Sequence, residues 1–357
     1  MKIASCHWAT PALLLLSACG SDSAAPGAVG GVPSPTNPGT PTVPVACPLN
    51  VTPPPVLKAE VPCNTRRDPR VQAMSDEGIA LTSALGLPPG RYALPDTAAP
   101  TQLVVMFHGH QNDSCSWREH LRGVAERGGV AVAMDYSSQF DGDIPGFGFI
   151  ENWGWAVRSG AADSITAARY FLDRYPSITQ VINFGTSMGG NVAGFAAYSP
   201  AAQRADCSPL WDYLIATEGV HNLSEEYLGT RALTPVLPAA AQAAQEIAEE
   251  NGGTIEEVPA RYTEITNVLH AQSLAYLKGV VLTHGTTDQT VPFDQSRQMA
   301  DQLRAAGVPV HFYPVIPSDH VWEGDGTTQV MKLGLDALHA LMAGGTVSDG
   351  ETPTAGP

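Results

Sequence analysis

Three residues of this chain have the types and the order that covalent acyl chemistry needs: Ser187, Asp288 and His320. Ser187 sits in Gly185-Thr186-Ser187-Met188-Gly189-Gly190, after the apolar run Val181-Ile182-Asn183-Phe184 and before Asn191 to Tyr198, which reads as a helix. A strand that turns into a helix through Gly-x-Ser-x-Gly is a nucleophile elbow, a turn that leaves the serine hydroxyl exposed at the end of a sheet. That hydroxyl is a weak nucleophile at neutral pH. An imidazole must take its proton during attack and return it to the leaving group, and a carboxylate must hold the imidazole in the right tautomer. His320 follows the β-rich run Val310-His311-Phe312-Tyr313-Pro314-Val315 and fits the base. Asp288 follows the strand pattern Gly279-Val280-Val281-Leu282-Thr283 and fits the carboxylate. Charge building on the substrate's carbonyl oxygen needs two fixed N–H donors. The backbone of Met188, next after the nucleophile, supplies one.

The chain order serine, aspartate, histidine is that of the α/β-hydrolase triad, and the sequence resembles that superfamily over roughly residues 64–345. Its block His284-Gly285-Thr286-Thr287-Asp288-Gln289-Thr290-Val291-Pro292 is most similar to the prolyl-oligopeptidase and dienelactone-hydrolase branch. The resemblance implies an α/β fold with a mostly parallel, doubly wound sheet and a helical cap insertion. It also implies the second N–H donor: the strand Leu103 to Phe107 ends in His108-Gly109-His110, so the donor is the backbone of His110, with His108 bracing the loop. Glu218 is the rival acid, because it ends the strand Tyr213 to Thr217, from which some hydrolases of this fold supply theirs. Asp319 adjoins His320, but side chains of neighbouring residues diverge. His284 is read as structural, and His221 and His270 fall outside the expected slot. Cysteines and histidines show no metal-ligand spacing, so neither a metal nor a cofactor is expected.

The elements that must position these residues alternate as a doubly wound sheet requires. A helix from Trp117 to Arg127 leads to a strand over Val130 to Met134, and a long helix from Val157 to Tyr175 leads to the nucleophile strand. Between Glu218 and Leu277 the alternation breaks into an Ala- and Glu-rich helical insertion, with Pro235, Pro238 and Pro259 as breakers. Residues 221–275 are expected to cap the site as a selectivity lid or to form a dimer surface. Phe140 to Trp155 reads as a Gly-rich aromatic loop. Its Phe147, Phe149, Trp153 and Trp155 either line an apolar substrate pocket or pack under the cap.

Residues 1–18 read as a lipoprotein signal, with Leu16-Ser17-Ala18-Cys19 as the lipobox and Cys19 the lipidated residue. The apolar stretch is far too short to span a bilayer. An extracytoplasmic location follows, at an outer membrane or cell surface, with simple secretion as the alternative. Residues 19–63 are rich in Pro, Gly, Ser, Thr and Ala and form a tether that cannot bury a core. Residues 64–345 suffice for one catalytic domain, and residues 346–357 are expected to be a flexible tail. The net charge of −16, with four lysines, argues against nucleic acid and anionic lipid surfaces as partners. Past Cys19 four cysteines remain, Cys47, Cys63, Cys115 and Cys207. An even number outside the cytoplasm suggests disulfides, with Cys47–Cys63 favoured and the others open.

These readings converge on a serine hydrolase that cleaves apolar acyl or aryl esters, small or polymeric, through an acyl-enzyme. A peptidase of the prolyl-oligopeptidase type is the alternative, although the tether leaves no room for that group's N-terminal propeller. A non-catalytic binding module on the same fold is a third, opposed by the intact Ser187, Asp288 and His320.

Overall fold

The structure is a computed structural model and describes residues 80–144, 148–321 and 326–356. The signal, the tether, Cys19, Cys47, Cys63 and Phe147 lie outside the described residues. Strands β1 (Ala80–Leu81), β2 (Gly90–Ala93) and β3 (Gln102–Phe107) precede helix α1 (Arg118–Glu126) and β4 (Val130–Met134). A hairpin of β5 (Phe140–Ile144) and β6 (Gly148–Trp153) leads to α2 (Val157–Arg174), β7 (Gln180–Thr186), α3 (Met188–Tyr198) and β8 (Tyr213–Thr217). The cap follows: α4 (Leu223–Leu233), α5 (Pro238–Asn251), α6 (Pro259–Glu264) and a 3-10 helix, Asn267–Leu274. The chain then forms β9 (Gly279–Gly285), α7 (Phe293–Ala305), β10 (Val310–Ile316), α8 (Gln329–Met342), β11 (Gly350–Glu351) and β12 (Thr354–Ala355).

The main sheet runs β1-β2-β4-β3-β7-β8-β9-β10-β11, with β12 also on β10. Strand β2 is antiparallel to β1 and β4, and the other pairings are parallel. Parallel strands covered on both faces read as continuous apolar runs, which is why Val130 to Met134 is buried throughout. Alternate residues of a strand face opposite sides. Leu103, Val105 and Phe107 therefore pack with Ile165 and Phe171 of α2 and Val192 of α3. Val104 and Met106 pack with Leu121 of α1 and Leu338 of α8 on the other face. Helices on both faces make the sheet doubly wound.

From β3 the chain moves to β4 on one side, then returns to place β7 on β3's other side. The crevice beyond the carboxyl ends of strands at such a switch point is where open α/β sheets bind ligands. His108 to His110 and Ser187 follow those two strand ends.

Two expectations are corrected. The segment from Phe140 is an antiparallel hairpin, with Phe140 opposite Trp153 and Asp143 opposite Phe149. Its glycines hid the alternation that marks a strand. The tail read as flexible pairs β11 and β12 in parallel with β10. Without them that side of β10 would be an open sheet edge, whose backbone groups need partners. In the cap, Pro238 and Pro259 open α5 and α6, where the missing N–H of proline costs nothing. The cap's inner face is core: Tyr227, Ile247, Tyr262 and Ile265 are buried in the same cluster as the sheet.

Candidate active site

Ser187 has φ 57° and ψ −126°, a positive φ that costs a non-glycine residue about 1–3 kcal/mol. Surrounding bonds hold it there. Its N–H donates to the Thr217 carbonyl at 3.1 Å, and its carbonyl accepts from Gly190 at 2.9 Å and Val220 at 3.1 Å. A side chain on Gly185 would strike the Gly189 backbone, and one on Gly189 would strike the carbonyls of Phe107 and His108. The glycines of the motif thus let the start of α3 approach the end of β3, setting the elbow against the loop that carries His110.

Asp288 and His320 come together from the loops after β9 and β10. His320 Nδ1 lies 2.6 Å from Asp288 Oδ2 and 3.4 Å from Glu218 Oε2. The shorter contact makes Asp288 the direct partner of the imidazole. Its other oxygen accepts from the backbone of Thr290 at 2.8 Å and Val291 at 2.9 Å. His284, fully buried, contacts Asp288 Oδ2 through Nε2 at 3.2 Å and Ser296 Oγ through Nδ1 at 2.7 Å. Burial pushes the Asp288 carboxyl up, but hydrogen bonds from His284 and His320 outweigh it and hold the group well below the usual carboxylate range. Glu218 shifts the other way: burial raises it, and the Asp288 charge adds to that against the opposing pull of His320. Its oxygens accept from Val321 at 2.6 Å and Gly285 at 3.2 Å. Glu218 therefore pins the histidine loop to the end of β9 and offers Nδ1 a second carboxylate. Asp319 points elsewhere, accepting from the backbone of Gln289 at 3.0 Å and of His320 at 2.8 Å.

Met188, expected to supply one oxyanion donor, is the first residue of α3. His108 is stacked on Tyr136 with centroids 3.8 Å apart, and the Tyr136 hydroxyl donates to the His108 carbonyl at 3.1 Å. The next loop residue but one, His110, meets the cap: its Nε2 pairs with Glu246 Oε2 of α5. Of the aromatic residues, Trp155 is buried with its ring 5.4 Å from that of His110. Trp153 is buried in the hairpin, and Phe149 is exposed on it.

Sequence reading missed Glu246, which is 136 positions from its partner. It also missed Arg158 on α2, which binds the cap through Glu250, Asn251, the Arg261 carbonyl and Glu264. No local motif marks either.

A serine at a strained elbow and a carboxylate–imidazole pair, on loops at the carboxyl ends of the strands of a doubly wound sheet, are features of the α/β-hydrolase class of serine hydrolases. The model of the prolyl oligopeptidase family matches residues 120–336, and the chain belongs to that family. Similar solved structures include a propionate-bound thermophilic esterase from the Planctomycetes species Thermogutta terrifontis. It shares 19% identity, with 78% of this chain and 99% of that one covered and a TM-score of 0.54. A puromycin-hydrolyzing peptidase of Mycobacterium tuberculosis gives 19% identity, 75% and 39% coverage and a TM-score of 0.51. Acylaminoacyl peptidase of Pyrococcus horikoshii gives 15%, 73% and 40%, and 0.50. No curated protein matches the chain.

Proposed function

We propose that the protein is an extracytoplasmic esterase that cleaves carboxylic esters through an acyl-enzyme on Ser187. The observation that carries this is the 2.6 Å contact between Asp288 and His320, at the same sheet edge as the strained Ser187 elbow. Ser187 Oγ attacks the ester carbonyl as His320 takes its proton, and the carbonyl electrons collect on oxygen against the N–H groups of Met188 and His110. Collapse expels the alkoxide, which leaves with the proton from His320. Water then repeats the sequence on the acyl-enzyme and frees the acid. Asp288, held ionised, stabilises the imidazolium in both halves.

An ester is favoured over a peptide because the similarity spans nearly the whole Thermogutta esterase and only a minor part of each peptidase. Buried Trp155 beside His110 favours an apolar acyl or aryl group. Lipidation at Cys19 would hold the enzyme on a membrane, with simple secretion the alternative. The even number of cysteines past Cys19 supports an oxidising compartment. The test is a panel of p-nitrophenyl esters of rising chain length, a feruloyl ester, a polyester film and an aminoacyl-proline amide. Turnover of the amide above every ester would favour the peptidase, and none at all would favour a binding module.

A further inference from the structure

We infer that Glu246, on cap helix α5, is a positioning residue that fixes the oxyanion loop through the side chain of His110. The inference rests on the esterase mechanism proposed above. Glu246 is fully buried, with both oxygens engaged: Oε2 pairs with His110 Nε2, and Oε1 accepts from Gln242 Nε2 at 2.9 Å. A buried carboxylate stripped of its partner is strongly unfavourable, so this contact is a fixed point between cap and loop. The ring it holds belongs to the residue whose backbone N–H the proposed mechanism assigns to the oxyanion, and ring and N–H share one Cα. Trp155 flanks the same ring.

The loop is thereby held from two sides. Tyr136 grips it at His108 from the sheet layer, and Glu246 grips it at His110 from the cap, with only Gly109 between. The other donor, Met188, opens α3, whose first turn meets the cap separately: Asn267 Nδ2 donates to the Gly190 and Asn191 carbonyls at 3.3 and 3.4 Å, and Asn191 Nδ2 donates to the Ile265 carbonyl at 2.7 Å. Through Glu246, cap docking sets the half of the oxyanion hole that His110 supplies. The cap is itself secured close to α5's end, where the Arg158 backbone donates to Glu250 at 2.9 Å. The chemical step, and not substrate affinity alone, depends on a helix that contributes no group to the triad.

The test is a double-mutant cycle in the full chain with p-nitrophenyl butyrate. Glu246→Leu should lower kcat about 10- to 100-fold, less than outright loss of an oxyanion donor, and leave KM within about threefold. His110→Ala keeps its backbone N–H but loses the tether, and should cost about as much. Because one effect acts through the other, the double variant should be no slower than the slower single variant. Glu246→Gln keeps the volume and should fall between wild type and Glu246→Leu, and it carries the cycle if the leucine variant does not fold. Wild-type kcat in Glu246→Leu and Glu246→Gln overturns the inference. So does a double variant whose loss is the product of the two single losses. Ser187→Ala, assayed alongside, separates the two levels: activity surviving there overturns the serine mechanism itself.

Discussion

Replacing Asp288 by asparagine perturbs one oxygen and leaves the other nearly untouched. The asparagine carbonyl keeps the N–H groups of Thr290 and Val291, which now bind Asp288 Oδ1 at 2.8 and 2.9 Å. Its amide nitrogen then faces His320 Nδ1 and donates where a proton used to be accepted. That favours the tautomer with a proton on Nε2, which cannot take one from Ser187. In a serine triad this fault alone costs about 10⁴-fold in kcat, or about 5.4 kcal/mol. Here a second carboxylate stands 3.4 Å from the same nitrogen. At an effective dielectric of about 20, an imidazolium gains about 6 kcal/mol from a charge at the Asp288 distance and about 5 kcal/mol at the Glu218 distance. Sharing Glu218 with the Val321 N–H gives back about 1 kcal/mol. Losing the Asp288 charge also removes one cause of the raised Glu218 pKa. Asp288→Asn should therefore lose about 10²- to 10³-fold in kcat, less than the full fault. The Asp288→Asn, Glu218→Gln pair should approach the full loss, and Glu218→Gln alone should lose no more than about tenfold. Initial rates with p-nitrophenyl butyrate, normalised by fluorophosphonate titration of Ser187, measure all three. The acid limb of kcat/KM should move to lower pH in Asp288→Asn, because imidazolium loses its nearer counter-charge. A double variant no slower than Asp288→Asn would refute the second-carboxylate role. A fully active Asp288→Asn with a dead Glu218→Gln would reverse the acid assignment.

Other outcomes follow from the same structure. Burial pushes Glu226 up to about 7, so this group favours folding below the ordinary carboxylate pKa of about 4.3 and loses that contribution as pH rises through about 7. Glu226→Gln should leave Tm nearly unchanged at pH 4.5 and raise it at pH 8.5, and a lower Tm at pH 8.5 would contradict this. Arg158→Ala strips the partly buried Glu250 of its guanidinium and should cost about 1–3 kcal/mol in urea unfolding; a loss under about 0.5 kcal/mol would show that the cap does not depend on it. Metabolic labelling with a palmitate analogue should tag the wild type and not Cys19→Ser, and equal labelling of both rejects the lipid site. Longer acyl chains should raise kcat/KM over acetate, by up to about fourfold for each buried methylene, and a flat series would remove the apolar pocket from the proposal.

How much of this was legible beforehand follows from the range over which each constraint acts. The elbow was readable because its demands are local: glycines at fixed offsets from a serine, between an apolar strand and a helix. The two-sided burial of β4 or β9 was readable as an unbroken apolar run. The hairpin and the tail strands were not, since glycine and threonine composition carries no record of an edge waiting for a partner. The contact between Glu246 and His110 joins a loop to a helix 136 positions away, and neither end has a motif. The acid shows the limit most plainly. Sequence places Glu218 after one strand and Asp288 after another and presents them as alternatives. The sheet order β3-β7-β8-β9-β10 makes them neighbours. His110, Ser187, Glu218, Asp288 and His320 follow the carboxyl ends of those five strands in that spatial order. Strands about 4.8 Å apart bring the groups after β8 and β9 within reach of a histidine after β10. The two carboxylates are therefore not rivals for one place. Asp288 takes the hydrogen bond, while Glu218 holds the histidine loop and supplies a second charge, a division that only strand adjacency creates.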